Sequence, residues 1–396
     1  MHHLNPVEVR DGIYWVGALD WMERDFHDFD IWRGTSYNAY VLLDDHMTLV
    51  DTVKENFFKE MLERMHKVAD PSKIEYIIAN HVETDHSGAL ARLKEVAKDA
   101  VIVCTEKGRE GLCKHFSCEN WEFKTVKTGD ELKIGKRTLV FLEMPMLHWP
   151  DSMATYVKEE KLLLSNDAFG QHVASLERFD EEFGVEEALR WAKTYYANIL
   201  MPFGELVKRK LNEVEKLGLE IEMIAPSHGV IWRDPAKILE AYRKWADFEA
   251  ENKLVVVYDT MWRSTEKLAR AISEGASSSG VEVRLFHLRN DSWSEIMTEI
   301  LDAKAVAVGS PTTHNTVFPP VAGFLAYMRG LKPKRKIGVA FGSYGWSGGA
   351  VKEISRVMEE LKFEVLEPLQ VKFRPTAEEL TRAFDLGARL AEKMQR

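Results

Sequence analysis

Long hydrophobic runs are absent from this sequence of 396 residues, whose mean hydropathy is −0.28. No apolar stretch approaches the roughly 18 residues that a membrane-spanning helix needs, so no association with a membrane is predicted. Residues 1–12, MHHLNPVEVRDG, are polar and lack the apolar core of a signal peptide. We therefore expect a cytoplasmic protein.

Cysteine is scarce as well, and the three cysteines are Cys104, Cys113 and Cys118. An odd number without a CxxC pair predicts free thiols in a reducing compartment. An excess of positive charge is also missing, because 53 Lys and Arg face 63 Asp and Glu, for a net charge of −10. This balance argues against nucleic acid as a partner. The length is sufficient for two or three domains.

One stretch, IEYIIANHVETDHSG at residues 74–88, places four polar side chains directly after a predicted buried strand: His81, Glu83, Asp85 and His86. In extended backbone alternate residues point the same way, so the first three can share one side. Nitrogen and oxygen donors without a thiolate favour iron, manganese or zinc. The alternative is a plain turn into a helix, capped by Asp85 or Ser87, which needs one such residue rather than four.

Three more polar residues follow directly on apolar strands: His148, Asp167 and His228. Each has a simple alternative explanation, such as a turn residue or a histidine with an ordinary hydrogen-bond partner. Strand ends on one edge of a sheet sandwich converge in space, so separate loops can build a single site. As a set in the same structural position, these residues extend the predicted metal site.

The last third of the chain alternates strands and helices. LVVVY, VEVRLFHL, AKAVAVG and KIGVAFG are each followed by a helical pattern. Strict alternation over this length predicts a doubly wound parallel sheet, whose ligands bind at the carboxyl ends of the strands. Asn252–Lys253 reads as a short polar hinge, so we predict two domains, residues 1–251 and 252–396.

The loop DTMWRST after the first of these strands carries hydroxyl groups at Thr260, Ser264 and Thr265, just where a helix starts. Free backbone N–H groups and hydroxyls at a helix start suit a phosphate monoester. The sequence has no G-x-x-x-x-G-K-[ST], which excludes a nucleotide-hydrolysing P-loop. The alternative explanation is a helix capped by serine alone.

The pattern HxExDH, followed by the three later residues, resembles the metallo-β-lactamase fold of the flavodiiron proteins, in which Glu83 replaces the second histidine of the zinc hydrolases. The resemblance implies an N-terminal αββα sandwich with two non-haem irons. It implies that His81, Glu83 and His148 bind one iron, that Asp85 and His228 bind the other, and that Asp167 bridges them. It leaves open whether His86 is a ligand. Asp51 and His172 are candidates either for ligands or for residues that orient a ligand by a hydrogen bond.

The loops TMWRST, SPTTHN and GSYGWSGG are similar to the FMN loops of flavodoxin, with the TMW variant that flavodiiron proteins commonly carry. The resemblance implies that the first loop binds the FMN phosphate and that the others flank the flavin ring. Trp262, Tyr344 and Trp346 are available for stacking or for ordinary packing. The implied FMN residues are Thr260, Met261, Trp262, Arg263, Ser264, Thr265, Pro311, Thr312, Thr313, His314, Asn315, Ser343, Tyr344, Gly345, Trp346, Ser347 and Gly348.

The resemblance implies an oxidoreductase that reduces O2 to water, NO to N2O, or both. The sequence has no rubredoxin-like CxxC…CxxC segment and no GxGxxG, so electrons are expected from a separate donor such as rubredoxin. A head-to-tail homodimer, or a dimer of dimers, is implied because it places one chain's FMN beside the other chain's metals. Two alternatives stay open: a zinc hydrolase fused to a flavodoxin, and an FMN electron-transfer module whose first domain is inactive.

Overall fold

The computed structural model describes residues 5–27 and 29–395. Within these ranges the chain forms two compact units. Unit 1 contains the described residues up to Tyr195 together with Glu205–Arg243, and unit 2 contains Tyr196–Gly204 and the described residues from Lys244 onward. The domain limits at 251 and 252 stay a prediction, because compactness alone does not define a domain. In the described ranges no helix has the length and apolarity needed to cross a membrane.

Unit 1 combines many short strands with helices of moderate length. Its strands are β1 (Val7–Arg10), β2 (Ile13–Trp15), β3 (Ala18–Asp20), β4 (Asp25–Phe26), β5 (Phe29–Asp30), β6 (Thr35–Tyr37), β7 (Tyr40–Leu42), β8 (Thr48–Val50), β9 (Tyr76–Ile78), β10 (Val101–Cys104), β11 (Phe123–Thr125), β12 (Glu131–Lys133), β13 (Thr138–Glu143), β14 (Met153–Val157), β15 (Leu162–Asn166) and β16 (Met223–Pro226). Its helices are α1 (Phe58–Met65), α2 (Thr84–Ser87), α3 (Leu90–Val96), α4 (Glu106–His115), α5 (Asp180–Phe183), α6 (Val185–Tyr195) and α7 (Gly204–Lys216), and α8 (Ala236–Ala246) leads into unit 2.

Two sheets form the centre of unit 1. A seven-stranded sheet has the order β1-β2-β7-β8-β9-β10-β11, and a five-stranded sheet has the order β12-β13-β14-β15-β16. Because side chains alternate along a strand, Ile78 of β9 joins a buried cluster with Phe141 and Leu164 of the second sheet. Its neighbour Ile77 packs on the opposite face with Met61 of α1. The sheets therefore pack face to face, and the predicted αββα sandwich is confirmed.

Unit 2 contains one sheet with helices around it, parallel except for one short strand, Thr316–Val317, that pairs antiparallel with its neighbour. Its strands are β17 (Glu251–Tyr258), β18 (Glu282–His287), β19 (Ala303–Thr313), β20 (Thr316–Val317), β21 (Ile337–Tyr344), β22 (Glu364–Val365) and β23 (Leu369–Lys372). Its helices are α9 (Ser264–Ser278), α10 (Trp293–Asp302), α11 (Pro319–Leu331), α12 (Ala350–Glu360) and α13 (Ala377–Gln395). The sheet order is β18-β17-β19-β21-β22, with β23 also beside β21, and these pairs are parallel. The predicted doubly wound flavodoxin-like sheet is confirmed.

The predicted hinge at Asn252–Lys253 is wrong. Both residues lie inside β17, and the helix before them, α8, ends at Ala246. The amine of Lys253 is buried and lies 2.7 Å from Glu299 Oε2 and 2.5 Å from Asp302 Oδ1. Lys253 can lie buried in a strand because two carboxylates of unit 2, Glu299 and Asp302, pair with its amine.

The prediction of three free thiols is also wrong for two of them. Cys113, on α4, and Cys118, just after it, form a disulfide with a Cα–Cα distance of 5.4 Å. The helix ends at His115, and the next residue, Phe116, has extended backbone (φ −129°, ψ 156°), a bend that brings the second cysteine back toward the first. Cys104 is free and buried, as expected.

Candidate metal centre and flavin site

The predicted metal ligands of unit 1 lie at the ends of four strands. The HxExDH motif follows β9, and His148, Asp167 and His228 follow β13, β15 and β16. The structure brings all seven side chains together in two groups, and the potential ligand atoms of each group lie within 4.8 Å of one another. The first group is His81, Glu83, His148 and Asp167, and the second is Asp85, His86 and His228.

The first group converges on two carboxylates. Glu83 Oε2 lies 3.3 Å from His81 Nε2 and 3.4 Å from His148 Nε2. Asp167 Oδ2 lies 3.2 Å from the same His148 atom and 3.7 Å from the His81 atom. Two imidazole nitrogens and two carboxylate oxygens therefore face one small volume, an arrangement suited to one divalent metal ion.

The second group uses the other oxygen of the same aspartate. Asp167 Oδ1 lies 3.0 Å from His86 Nε2 and 3.5 Å from His228 Nε2. Asp85 Oδ2 lies 3.2 Å and 3.1 Å from these two nitrogens. Asp167 thus presents one oxygen to each group, which is the geometry of a bridging ligand. His86, left undecided by the sequence, lies in the second group.

The backbone of the motif differs from the extended chain assumed for it. His81 and Glu83 do share one side, but Thr84–Ser87 form the short helix α2. This turn moves Asp85 to the second group. Ser87 does not cap the next helix, because its hydroxyl donates to the Val82 carbonyl at 2.6 Å.

Unsatisfied polar atoms test whether metal ions fit this cluster. Within the described ranges, both carboxylate oxygens of Asp85, both ring nitrogens of His86, His148 Nε2 and Asp167 Oδ2 are buried and make no well-oriented hydrogen bond, although several of them lie 3.0–3.2 Å from a neighbouring carboxylate or imidazole. Buried polar atoms are normally paired, so a cluster of them needs an explanation. Four imidazoles and three carboxylates without a thiolate are a donor set for iron, manganese or zinc, and two metal ions fit the two groups.

The electrostatics of the cluster show how strongly its members interact. Burial disfavours the charged form of His81, but hydrogen bonds with Asp151 and Glu83 outweigh it and raise the pKa to about 10. Burial likewise opposes the ionised form of Asp167, yet neighbouring histidines hold its pKa well below the usual value. His81 therefore carries a proton that a metal ion would displace on binding.

Asp151, which sequence reasoning missed, orients one of the ligands. Its Oδ2 accepts hydrogen bonds from His81 Nδ1 at 2.9 Å and from the Val82 N–H at 2.8 Å. Its backbone carbonyl accepts from Thr105 Oγ1 at 3.0 Å. A carboxylate behind a ligand histidine fixes the ring and leaves Nε2 free for the metal. The only signal in the sequence was an aspartate three residues after His148.

Replacing Asp151 with asparagine is expected to weaken metal binding about tenfold, because the ring of His81 loses its charged partner. Competition with a chelator of known affinity would measure the change. The control is Asp130→Asn, at an exposed carboxylate that also accepts from a backbone N–H. Equal metal affinity in the Asp151 variant and the control would show that Asp151 does not support the site.

Asp51 and His172 are close to the centre without joining either ligand group. Asp51 accepts hydrogen bonds from the N–H and side chain of Asn80 and from the side chain of Asn166, so the orienting role considered for it falls to Asp151 instead. His172 Nδ1 lies 2.8 Å from Thr35 Oγ1, and its ring lies 4.5 Å from that of His228. Burial lowers the pKa of His172 well below its usual value, so this imidazole is neutral.

Two further side chains that the sequence did not single out approach the centre. His27, between β4 and β5, places Nε2 2.5 Å from Glu83 Oε1. The ring of Tyr195, at the end of α6, lies 5.1 Å from that of His172 and 6.3 Å from that of His228. Neither residue belongs to a motif, and only the tertiary fold brings them here.

The loops at the carboxyl ends of β17, β19 and β21 form the candidate flavin site of unit 2. Thr260 is buried, and its Oγ1 has no hydrogen-bond partner among the described residues. The helix α9 begins at Ser264, and Thr265 Oγ1 lies 3.1 Å from Ser343 Oγ. An unpaired buried hydroxyl beside a helix start fits a phosphate group.

The second and third loops are tied to each other. Thr312 Oγ1 accepts hydrogen bonds from the N–H groups of Gly349 and Ala350, each at 3.3 Å. Trp262 and Trp346 are 86% and 88% exposed, so neither packs in the core. Aromatic side chains that are this exposed are free to stack on a planar ring.

Comparisons with known proteins match a family model to each of the two parts of the chain. The family described as "ODP family beta lactamase" matches residues 35–229, and the flavodoxin family matches residues 256–387. A nitric oxide reductase of Moorella thermoacetica is 48% identical over 394 residues, covering 98% of this chain and 99% of that protein. A coenzyme F420H2 oxidase of Methanothermobacter marburgensis is 44% identical over 398 residues, covering 98% of each.

A solved structure shows the same architecture. The rubredoxin oxygen:oxidoreductase of Desulfovibrio gigas has a TM-score of 0.96 and 39% identity, with 99% of each chain covered. A metal-binding αββα sandwich followed by a flavodoxin-like unit defines a flavin- and metal-dependent oxidoreductase. The chain belongs to the flavodiiron protein family. Its cofactors are FMN and a pair of non-haem irons.

Proposed function

We propose that this protein reduces O2 to water, NO to N2O, or both, with electrons from an external donor relayed by FMN. The observation that carries the proposal is Asp167, with one carboxylate oxygen in each ligand group of a chain that also has a flavin site. The names of two relatives, a nitric oxide reductase and a rubredoxin oxygen:oxidoreductase, support these substrates. FMN held by the loops of unit 2 would supply electron transfer, and irons held by the two ligand groups would supply the redox chemistry for the gas.

The surrounding residues would keep the centre dry and supply hydrogen bonds. Asp85, Asp167 and His228 are almost completely buried, so bulk water is excluded from the ligand groups. Burial raises the pKa of Tyr195 well above its usual value, so the phenol keeps its proton at neutral pH and can donate a hydrogen bond. His27 Nε2, 2.5 Å from Glu83 Oε1, adds a second hydrogen-bonding group at the edge of the site.

We propose rubredoxin as the electron donor. The name of the Desulfovibrio gigas protein supports this choice, whereas the Methanothermobacter relative points to reduced coenzyme F420 as the alternative. The two donors differ in kind, since one is a small protein and the other a soluble hydride carrier. The rate of gas consumption by one preparation with each donor therefore shows directly which of the two donors the protein uses.

Exposed apolar side chains support a head-to-tail homodimer. In unit 1, Trp21, Met22 and Trp32 are 48%, 80% and 42% exposed, on the segment that also carries His27. In unit 2, Trp262 and Trp346 are exposed on the flavin loops. Exposed patches of this kind mark interaction surfaces. We propose that the patch of one copy meets the flavin loops of another, so that electrons pass between copies.

The decisive experiment is the metal and flavin content of protein purified without oxygen, followed by O2 and NO consumption with each donor. About two irons and one FMN per chain with consumption of either gas would support the proposal. Two zincs, with no gas reduction after reconstitution with ferrous iron, would favour the zinc hydrolase instead. FMN without gas reduction in the iron-loaded protein would favour a simple electron-transfer module.

A further inference from the structure

A buried carboxylate lies beside the flavin phosphate site. Asp259 follows β17 directly, and its side chain is fully buried. The next residue, Thr260, carries the unpaired buried hydroxyl that fits a phosphate. A buried negative charge repels a phosphate dianion and is costly to bury unless it is paired. The presence of Asp259 at this position therefore needs a compensating group.

Arg289, two residues beyond the end of β18, supplies that compensation. Its Nε lies 3.0 Å from both Oδ atoms of Asp259, and its Nη2 lies 2.7 Å from Oδ1. The same Nη2 also donates to the backbone carbonyl of Thr260. Asp259 Oδ1 further accepts from the Thr260 N–H at 2.5 Å, and His287 Nε2 lies 3.3 Å from it. The guanidinium is 49% exposed, whereas the carboxylate is not exposed at all.

The contact with the Thr260 carbonyl has a geometric consequence for the phosphate loop. A trans peptide is planar, with its C=O and N–H pointing in opposite directions. Because the Thr260 carbonyl points to Arg289, the N–H of Met261 points away from it. The arginine thus fixes the orientation of the peptide between these two residues, where the loop offers its donors to an anion.

We propose that Arg289 is a positioning residue of the FMN phosphate site, which neutralises Asp259 and holds the Thr260–Met261 peptide ready for a phosphate dianion. The ion pair leaves the start of the loop with no net charge, so the phosphate meets donors without a competing anion. The proposal depends on the function proposed above only through the identity of the flavin.

The test is the affinity of the full-length, flavin-free protein for FMN and for riboflavin, which lacks the phosphate, measured by quenching of flavin fluorescence. Arg289→Gln is expected to lower the affinity for FMN about 10- to 100-fold and the affinity for riboflavin about threefold or less. The control is Arg284→Gln, on the preceding strand β18, where an exposed arginine pairs with Glu282 at 2.8 Å. It should leave both affinities unchanged.

A second pair of variants separates charge from simple structural support. Asp259→Asn combined with Arg289→Gln removes both charges, and it should recover part of the FMN affinity lost in Arg289→Gln alone. Arg289→Lys keeps the charge but loses the two-pronged contact, so we expect an intermediate loss. The proposal would be overturned if Arg289→Gln weakened the binding of FMN and of riboflavin equally and the double variant recovered no FMN affinity. This holds also if Arg289→Gln unfolds at a lower temperature than the parent.

The outcome is separable from the function of the whole protein. If the unmodified chain fails to bind FMN, the proposed function fails before any variant is compared. If it binds FMN and Arg289→Gln binds both flavins as the parent does, only the role of Arg289 is wrong. Iron content equal to that of the parent shows that unit 1 is intact in every variant.

Discussion

Replacing Asp167 with alanine is expected to lower gas reduction on the order of 100-fold or more while FMN stays bound. The reason is that one carboxylate serves both ligand groups, through Oδ2 at 3.2 Å from His148 Nε2 and Oδ1 at 3.0 Å from His86 Nε2. Its removal takes one carboxylate oxygen from each ligand group at once. Iron and FMN content per chain, followed by O2 and NO consumption, measures the effect.

Two companion variants make the Asp167 result specific. Asp167→Asn keeps the volume and one oxygen, so it should retain more iron than the alanine variant. Asp45→Ala removes an exposed carboxylate of the same unit and should change neither iron content nor rate. A full iron complement and a full rate in Asp167→Ala would show that this residue is not a shared ligand.

Replacing both Thr260 and Ser264 with alanine is expected to lower the affinity for FMN on the order of 100-fold and to leave the iron content unchanged. Thr260 Oγ1 is a buried hydroxyl without a partner in the described ranges, and Ser264 opens the helix whose N-terminus faces the loop. A phosphate loses two hydroxyl donors in this variant. Equilibrium titration of the flavin-free protein with FMN gives the affinity.

The matched control uses two serines at the other end of the same helix. Ser277→Ala with Ser278→Ala leaves the start of α9 untouched, since Ser278 Oγ donates only locally, to the Gly275 carbonyl at 2.8 Å. This variant should bind FMN as the parent does. Equal FMN affinity in the two double variants would remove the phosphate role from Thr260 and Ser264.

Much of the fold could be predicted because local patterns and tertiary packing agree. In unit 2 each apolar run becomes a parallel strand, as in LVVVY within β17, and each polar loop falls at the carboxyl end where ligands bind. In unit 1 the motif after β9 and the residues after β13, β15 and β16 meet because they leave the same edge of two packed sheets.

What sequence reasoning missed depends on contacts between distant residues. Asp151 reaches His81 across 70 positions, and His27 reaches Glu83 across 56. No local period marks such pairs, because each residue has an ordinary role in its own loop. The disulfide at Cys113 depends on the bend at Phe116, and the buried pairing of Lys253 depends on α10. These features follow from the fold rather than from any stretch of sequence.

The division of the chain into two units has a consequence for where the gene can be cut to separate them. The chain passes from one unit to the other after Tyr195, Gly204 and Arg243. Within unit 2, Asn198 donates to the Ser294 carbonyl at 3.2 Å and accepts from the Tyr327 hydroxyl at 2.7 Å. A gene cut at residue 252 therefore removes part of the flavin unit's own packing. Exchange of this unit between proteins, by recombination or by engineering, keeps the hydrogen bonds of Asn198 only if residues 196–204 are exchanged with it.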